Sequence, residues 1–413
     1  MTSRCRFCNS PLTETVADLG LSPVSNHFRD AATAQSSGQT FYPLHAMVCK
    51  NCWLVQLTEV ETPAHFDENY VYFSSYSASW LEHSKAYADQ MINRLNLDEE
   101  STVVEIASND GYLLQYFKQA NVSVLGIEPS GNVAEEARSK RGIDTIVEFF
   151  GRECAEKQVA RGVKADLIAA NNVMAHVPDI NDFIAGFKIL LREGGTMTVE
   201  FPHLLKMLEH CQFDTIYHEH FSYLSLGTVE TMLSAHGLKL YGVQELNTHG
   251  GSLRIFAGHE DSCPQDEALF HTLEKVRSDE KAAGLQSTAP YEAFGNAVER
   301  RKTELLTFLI EAKNAGKSVV GYGAPAKGNT MLNYCGVGPE LLSYTVDMSP
   351  HKQNQFLPGL NIPVHEPEKI MLDKPDFVLI LPWNLRDEIS MQLEDMRSWG
   401  GQFVVAIPRL EIF

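Results

Sequence analysis

A chain of 413 residues exceeds what one hydrophobic core ordinarily serves, so two or three domains are expected. Hydrophobic content of 44% and charged content of 21% are those of a globular protein, and a formal net charge of −19 argues against duplex DNA or RNA as the main ligand, because phosphate binding needs concentrated positive charge. The opening "MTSRCRFCNS" has no apolar signal-peptide segment and no apolar run reaches the roughly 18 residues of a membrane span, so a cytoplasmic enzyme with reduced cysteines is expected.

Residues 1–65 hold two CxxC knuckles, "CRFC" and "CKNC". Each knuckle curls two thiolates toward one point, so Cys5, Cys8, Cys49 and Cys52 are expected to close a tetrahedral Zn²⁺ shell. Four thiolates leave no open position, which makes this metal structural. Cys154, Cys211, Cys263 and Cys335 lack such spacing and read as small core residues. Next, "YVYFSSYSASW" is aromatic-rich; it reads either as a linker that packs on the core or as a source of hydroxyls closing over a site, through Tyr72 or Tyr76.

Residues 66–290 alternate short apolar runs with helical patterns: "TVVEIAS", "VSVLGIEPS", "DTIVEFF", "ADLIAANNV" and "TMTVEFP", then the close pair "LKLYGVQEL" and "SLRIFAGHE". Such alternation predicts a mostly parallel sheet ending in a hairpin. In an open α/β sheet a ligand sits at the carboxyl ends of the strands. The first of these ends is "EIASNDG", with Glu105, Ser108, Asn109 and Gly111; the second ends with Glu128 and Pro129, where a carboxylate suits two ribose hydroxyls. Phe149 and Phe150 follow the third strand. Asn171, Asn172 and His176 follow the fourth. No GxGxxG fingerprint is present here, which weakens a plain NAD reading.

After the fifth strand comes "TIYHEHFSY". It is not HExxH, since His218 and His220 are two apart rather than four. Histidine is suited to proton transfer near neutral pH, and an adjacent carboxylate can orient it, so the cluster of Tyr217, Glu219 and His220 points to catalysis rather than metal binding. The loop "THGGSLRIF" offers His249 and Arg254 for ligand contact, or a simple hairpin turn at Gly250 and Gly251.

The polar stretch "HEDSCPQDEALFHTLEKVRSDEKAAGLQSTAP" leads into residues 291–413, a charged helix followed by a second, smaller α/β unit. Its "SVVGYGAPAKGNT" is strand, glycine-rich turn and helix. It is not a Walker A loop, and "GYGAPA" satisfies only GxGxxA. Tyr322, Lys327 and, at the next strand end, Asp347 are the expected substrate-binding residues, with helix-start amides and Lys327 suited to a pyrophosphate.

The ordered set of two CxxC knuckles, "YFSSYS", "EIASNDGYLL", "GIEPS", "ANNVMAHVPD", "IYHEHFSYLS", "THGGSLR" and "GYGAPAKGNT" resembles the nucleotide-sugar C-methyltransferases over nearly the whole chain. The resemblance is strongest to the tetronitrose C-3′-methyltransferases. It implies an α/β protein in three parts: a zinc-binding domain, a class I S-adenosylmethionine (SAM) methyltransferase Rossmann-like domain and a C-terminal Rossmann-like domain. It implies SAM as methyl donor, held by Glu105, Ser108, Asn109, Gly111, Glu128, Pro129, Phe149, Phe150, Asn171 and Asn172. It places the catalytic pair on Glu219 and His220, with Tyr217, His176 and Tyr72 beside them, and the sugar near Tyr76, His249, Arg254, Tyr322, Lys327 and Asp347. The implied substrate is dTDP-3-amino-2,3,6-trideoxy-4-keto-glucose, handled by a monomer with no nucleic acid or membrane partner. The competing classes are an NAD-dependent nucleotide-sugar oxidoreductase using the C-terminal glycine loop, a non-enzymatic nucleotide-sugar binder, and a zinc-ribbon RNA or protein methyltransferase.

Overall fold

The computed structural model describes residues 3–31, 33, 38–58, 73–76 and 78–413. The strands are, in chain order, β1 (Glu14–Ser22), β2 (Tyr42–Val48), β3 (Val55–Leu57), β4 (Thr102–Ile106), β5 (Ser123–Ile127) and β6 (Thr145–Ile146). There follow β7 (Ala165–Asn171), β8 (Leu191–Pro202), β9 (Ser222–Tyr223), β10 (Leu238–Leu246) and β11 (Ser252–His259). The C-terminal part adds β12 (Val319–Tyr322), β13 (Thr345–Val346), β14 (Val364–His365), β15 (Phe377–Ile380), β16 (Gln402–Val405) and β17 (Glu411–Ile412).

The central sheet runs β10-β11-β8-β7-β4-β5-β6. Strands β4 to β8 run parallel to one another, while β11 is antiparallel to both β8 and β10. Its inner strands, "TVVEI" and "ADLIAAN", are nearly continuous apolar runs because helices bury both faces. Side-chain caps start several of the surrounding helices. Asp179 accepts from Asp182 N at Ile180–Leu190, and Ser225 accepts from Thr228 N at Leu226–Ala235. Of the expected third strand, "DTIVEFF", only Thr145–Ile146 pairs. The polar stretch after β11 is mostly the helix Glu267–Ala282, capped by Asp266 and packed on β10.

The N-terminal sheet is antiparallel, in the order β1-β2-β3-β9. Its fourth strand comes from the middle of the chain: Val55 pairs with Tyr223 and Gln56 with Ser222. The C-terminal sheet, β14-β13-β12-β15-β16-β17, is parallel apart from β17. Sequence patterning anticipated neither β14 nor β17, each a two-residue strand too short to show a period.

One core joins the N-terminal and C-terminal sheets through the segment that follows β8. Leu44 and Ala46 of β2, Phe213 and Ile216 of the central segment, and Leu309 and Leu332 of the C-terminal part belong to a single buried cluster. The helix Ala289–Asn314 packs on both β1 and β12, and at about 1.5 Å per residue it is long enough to tie the outer sheets together. Among the described residues no helix is long and apolar enough to cross a membrane.

Candidate active site

The four N-terminal cysteines converge. Cys5 and Cys52 have sulfurs 3.6 Å apart, Cys8 and Cys49 have theirs 3.5 Å apart, and all four lie within 4.8 Å of one another. Zn–S bonds of about 2.3 Å put tetrahedral ligands about 3.8 Å apart, so this donor set fits a structural Zn²⁺ with little adjustment. Gln56 Nε2 donates to Cys5 Sγ at 3.2 Å, as an outer-shell amide does to a metal thiolate. Asn181 Nδ2 donates to the carbonyls of Arg6 and Phe7, which docks the first knuckle on the central unit. Cys154, Cys211 and Cys335 are buried core residues, and Cys263 is half-buried.

The carboxyl ends of β4, β5 and β7 form a pocket wall rich in unmatched polar groups. Glu105 is fully buried, and neither of its oxygens has a well-formed hydrogen bond. Burial drives its pKa far above the carboxylate range, against the pull of the Tyr112 hydroxyl. The loop beyond it carries left-handed backbone at Ala107, Asn109 and Gly111, with φ of 57°, 47° and 77°. Such strain in non-glycine residues marks ligand-holding loops. Ser108 Oγ, Asp110 Oδ1 and the Oδ1 atoms of Asn171 and Asn172 are also buried without partners. Gly126 is required beside Ser108, because a Cβ there would stand 2.4 Å from Ser108 Oγ. Glu128 accepts from Asn109 N at 3.0 Å and Ser130 N at 2.9 Å, and it keeps lone pairs for further donors. Buried polar groups are ordinarily satisfied, so this concentration of orphans fits a polar ligand.

Other expected contacts fall differently. Phe150 is committed to the core, edge-on to Phe183 and Phe187, while Phe149 is exposed. Pro129 is half-buried beside Glu128.

The "TIYHEHFSY" stretch folds as a tight loop, and the loop separates its titratable groups. His220 Nδ1 lies 2.8 Å from the Thr215 carbonyl oxygen, so it carries the proton and donates. Nε2 is therefore the bare nitrogen, and it accepts from the Tyr217 hydroxyl at 2.7 Å. His176 stands edge-on to His220, with ring centroids 4.7 Å apart. Burial and the neighbouring His176 hold His220 well below the ordinary histidine pKa, hence neutral. Glu219 does not orient His220. Its carboxylate accepts from Asn26 Nδ2 of the N-terminal unit at 2.8 Å, and burial raises its pKa. His218 turns away to the Pro43 carbonyl and the edge of Tyr42, a packing role against β2.

Lys327 and His249 complete the surroundings of His220; burial first, and then the charge of Lys327, help to keep both imidazoles neutral. Lys327 Nζ donates to Asn384 Oδ1 at 2.6 Å and sits 4.8 Å from the centroid of the Trp383 ring. Trp383 Nε1 donates to the buried Asp214 at 2.7 Å, and the indole edge fills the space beside Gly250, where a Cβ would lie 2.4 Å from it. The C-terminal unit thus reaches directly under the His220 loop. Asp347 binds the turn amides of Ala324 and Ser349 and so braces the C-terminal glycine loop, while Tyr322 donates to Gln392. Arg254 is 3% exposed and lies in a second buried cluster with Glu200 and His83. Burial alone would raise Glu200; the His83 hydrogen bond and the Arg254 charge outweigh it and hold Glu200 at about 2. Tyr76 is 72% exposed and stacks on Phe73, away from this cluster, and Tyr72 lies outside the described residues.

Sequence reasoning missed Asn26, His83, Glu200, Asp214 and Trp383. Only Glu200 carried a signal: it stands at a strand end in "TVEFP", the same positional cue that singled out Glu128.

Three family models match the chain in order: a zinc binding domain over residues 5–66, a methyltransferase domain over 80–243 and a C-methyltransferase C-terminal domain over 247–408. The chain is also 34% identical, over 404 residues, to the C-methyltransferase NovU of Streptomyces niveus; the alignment spans 98% of this chain and 95% of that protein. This chain belongs to the C-methyltransferase family. As a member it is a SAM-dependent methyltransferase of Rossmann-like fold with a zinc-binding N-terminal domain, and the oxidoreductase and non-enzymatic readings fall away. Two solved structures resemble this C-methyltransferase over less than half its length. Magnesium protoporphyrin IX methyltransferase from Synechocystis with bound SAM is 16% identical, covers 43% of this chain and 78% of its own, and has a TM-score of 0.33. A SAM-dependent methyltransferase from Clostridium acetobutylicum is 10% identical, with 43% and 92% covered and a TM-score of 0.35. Nothing about substrate follows from either.

Proposed function

We propose that this C-methyltransferase adds a methyl group to C-3′ of a dTDP-linked 4-keto-deoxysugar, with dTDP-3-amino-2,3,6-trideoxy-4-keto-glucose as the substrate, in deoxysugar assembly for an antibiotic or surface glycan. The observation that carries the reading is the tautomer of His220: Nδ1–H is tied to Thr215, so the bare Nε2 is available as a base. A sugar carbon becomes nucleophilic only on losing a proton, and an adjacent ketone makes that proton removable. His220 Nε2 takes the C-3′ proton, and the C–H electron pair passes into the 4-keto group as an enolate. The Thr215 carbonyl stabilises the imidazolium. Tyr217, released from Nε2, and His176 are placed to donate to the enolate oxygen, where preorganised donors lower such barriers most. SAM supplies the electrophilic methyl, so the carbon–carbon bond forms as the carbon–sulfur bond breaks and the proton leaves His220 for solvent. Holding both substrates in attack geometry contributes several powers of ten.

The orphaned groups along Glu105, Ser108, Asp110, Asn171 and Asn172 support SAM binding there, with Glu128 toward the ribose. Lys327 and the Asp347-braced glycine loop support the nucleotide end of the sugar in the C-terminal unit. Four reduced metal-binding thiols suit the cytoplasm. The net charge of −19 speaks against an RNA substrate. The test is incubation with SAM and a panel of dTDP-4-keto sugars, followed by NMR location of the new methyl carbon. Methylation at C-3′, abolished by His220→Asn with SAM binding retained, supports the reading; full turnover by His220→Asn places the base elsewhere.

A further inference from the structure

We propose that Glu200 is a positioning residue for His249, and that His249 is a hydrogen-bonding group that meets the sugar near His220. The inference rests on the substrate site just described and adds the device that shapes its His249 side.

Glu200 stands at the carboxyl end of β8, fully buried, directly across the ladder from Arg254 of β11. Arg254 Nη2 donates to Glu200 Oε2 at 2.7 Å, and the guanidinium lies over the Tyr87 ring, 4.5 Å from its centroid. A buried ion pair of this kind gives little net stability over a well-packed apolar pair. Another reason for the charge is visible in what else the carboxylate holds.

Besides the Arg254 pair, two contacts leave Glu200, and both lead to His249. Oε1 accepts from the Thr248 hydroxyl at 3.1 Å. Thr248 opens the turn that carries His249, and its carbonyl accepts from Gly251 N and Ser252 Oγ. His249 itself has φ 55° and ψ 20°, a left-handed conformation that a non-glycine residue keeps only where its surroundings hold it. On the other side, Oε2 lies 3.1 Å from His83 Nε2. The His83 ring stacks face-on with Trp80 at 4.9 Å and 18°, and Trp80 in turn meets His249 edge-on at 5.7 Å and 79°. One carboxylate therefore fixes the backbone of His249 through Thr248 and its ring through His83 and Trp80. His249 keeps an exposed edge, while the protein packed around it, and after that the charge of Lys327, holds its pKa down to about 4. The ligand class is a polar substituent of the sugar ring, carbonyl, hydroxyl or amine.

Thr248→Val separates this role from stability, because it leaves the Glu200–Arg254 pair whole. In sugar-free protein with ¹⁵N-labelled histidine, the His249 ring signals are expected to move in Thr248→Val and Glu200→Gln while those of His220 stay. In turnover, Thr248→Val is expected to lower kcat roughly tenfold with SAM affinity unchanged, since small misplacements at a reacting centre are that costly. The double variant Thr248→Val/His249→Asn should be no slower than His249→Asn alone. Unmoved His249 signals, or a further tenfold loss in the double variant, overturn the proposal. If the wild-type protein ignores every 4-keto sugar, the substrate reading fails, and the NMR arm still decides the role of Glu200.

Discussion

Replacing Glu105 by Gln tests the reasoning about the SAM wall most directly, because two effects of opposite sign are expected from one change. Glu105 is fully buried with neither oxygen properly bonded, and burial raises its pKa well above the usual carboxylate value. A carboxyl whose folded pKa is raised stabilises the fold least at high pH: the folded state binds the proton more tightly, so stability falls as pH climbs past the unfolded value of about 4.3. Gln keeps the shape and removes that cost, so Glu105→Gln should be the more stable apo protein at pH 8. SAM binding should move the other way. A hydrogen bond to a charged group is worth about 1.5–3 kcal/mol, so its loss weakens binding about 10- to 150-fold. At a SAM concentration of about 100 times the wild-type Kd, the ligand adds about 2.7 kcal/mol to wild-type stability; for a variant about 30-fold weaker, the same formula leaves about 0.9 kcal/mol. Denaturant melts without SAM and calorimetric titration with SAM measure the two halves. Titration in buffers of different ionisation enthalpy should also show wild-type SAM binding releasing a proton from Glu105, a release absent from the variant. Unchanged SAM affinity, or a loss of apo stability matching the loss of affinity, would refute the argument and make Glu105 a structural residue.

Asp214 is held at about 6 by burial, against the opposing pull of Lys327 and Trp383, so its ionisation destabilises the fold progressively between about pH 4 and pH 6. Asp214→Asn should therefore gain stability relative to wild type as pH rises across that window, by up to about 3 kcal/mol, and a pH-independent difference in denaturant melts would count against the burial argument. Neutral His220 should place the acidic limb of kcat/KM below the ordinary histidine value of about 6.5, whereas a limb at or above it would assign the base elsewhere. Zinc removal by a strong chelator should abolish methyl transfer while SAM binding survives, because β9 follows His220 by only two residues and pairs with the zinc-bearing sheet; hydrogen exchange at Val55, Gln56, Ser222 and Tyr223 should rise together.

Much of the central unit was legible because its strands are parallel and buried, so "TVVEI" and "ADLIAAN" announce themselves as apolar runs and the ligand edge follows from their carboxyl ends. The zinc knuckles were legible for a similar reason, since their spacing is short and local. The His220 loop was only half so. Adjacency in sequence suggested that Glu219 serves His220, but the loop turns tightly and hands His220 to Tyr217 and Thr215, three and five residues back, while Glu219 leaves for Asn26. Contacts such as Trp383 to Asp214, separated by 169 residues, have no local pattern to betray them. Arg254 was picked out as a ligand contact, yet its partner is Glu200 across the ladder, a pairing visible only once the hairpin register is known.

The borrowed strand of the N-terminal sheet also constrains the order in which the chain can mature. Val55–Leu57 leaves the ribosome long before Ser222 and Tyr223, so the edge that β9 will cover stays open while the whole Rossmann-like sheet up to β8 is being made. Closing so distant a pair is entropically slow, and an open strand edge is a template for intermolecular pairing. The zinc unit is first in sequence and among the last to be completed.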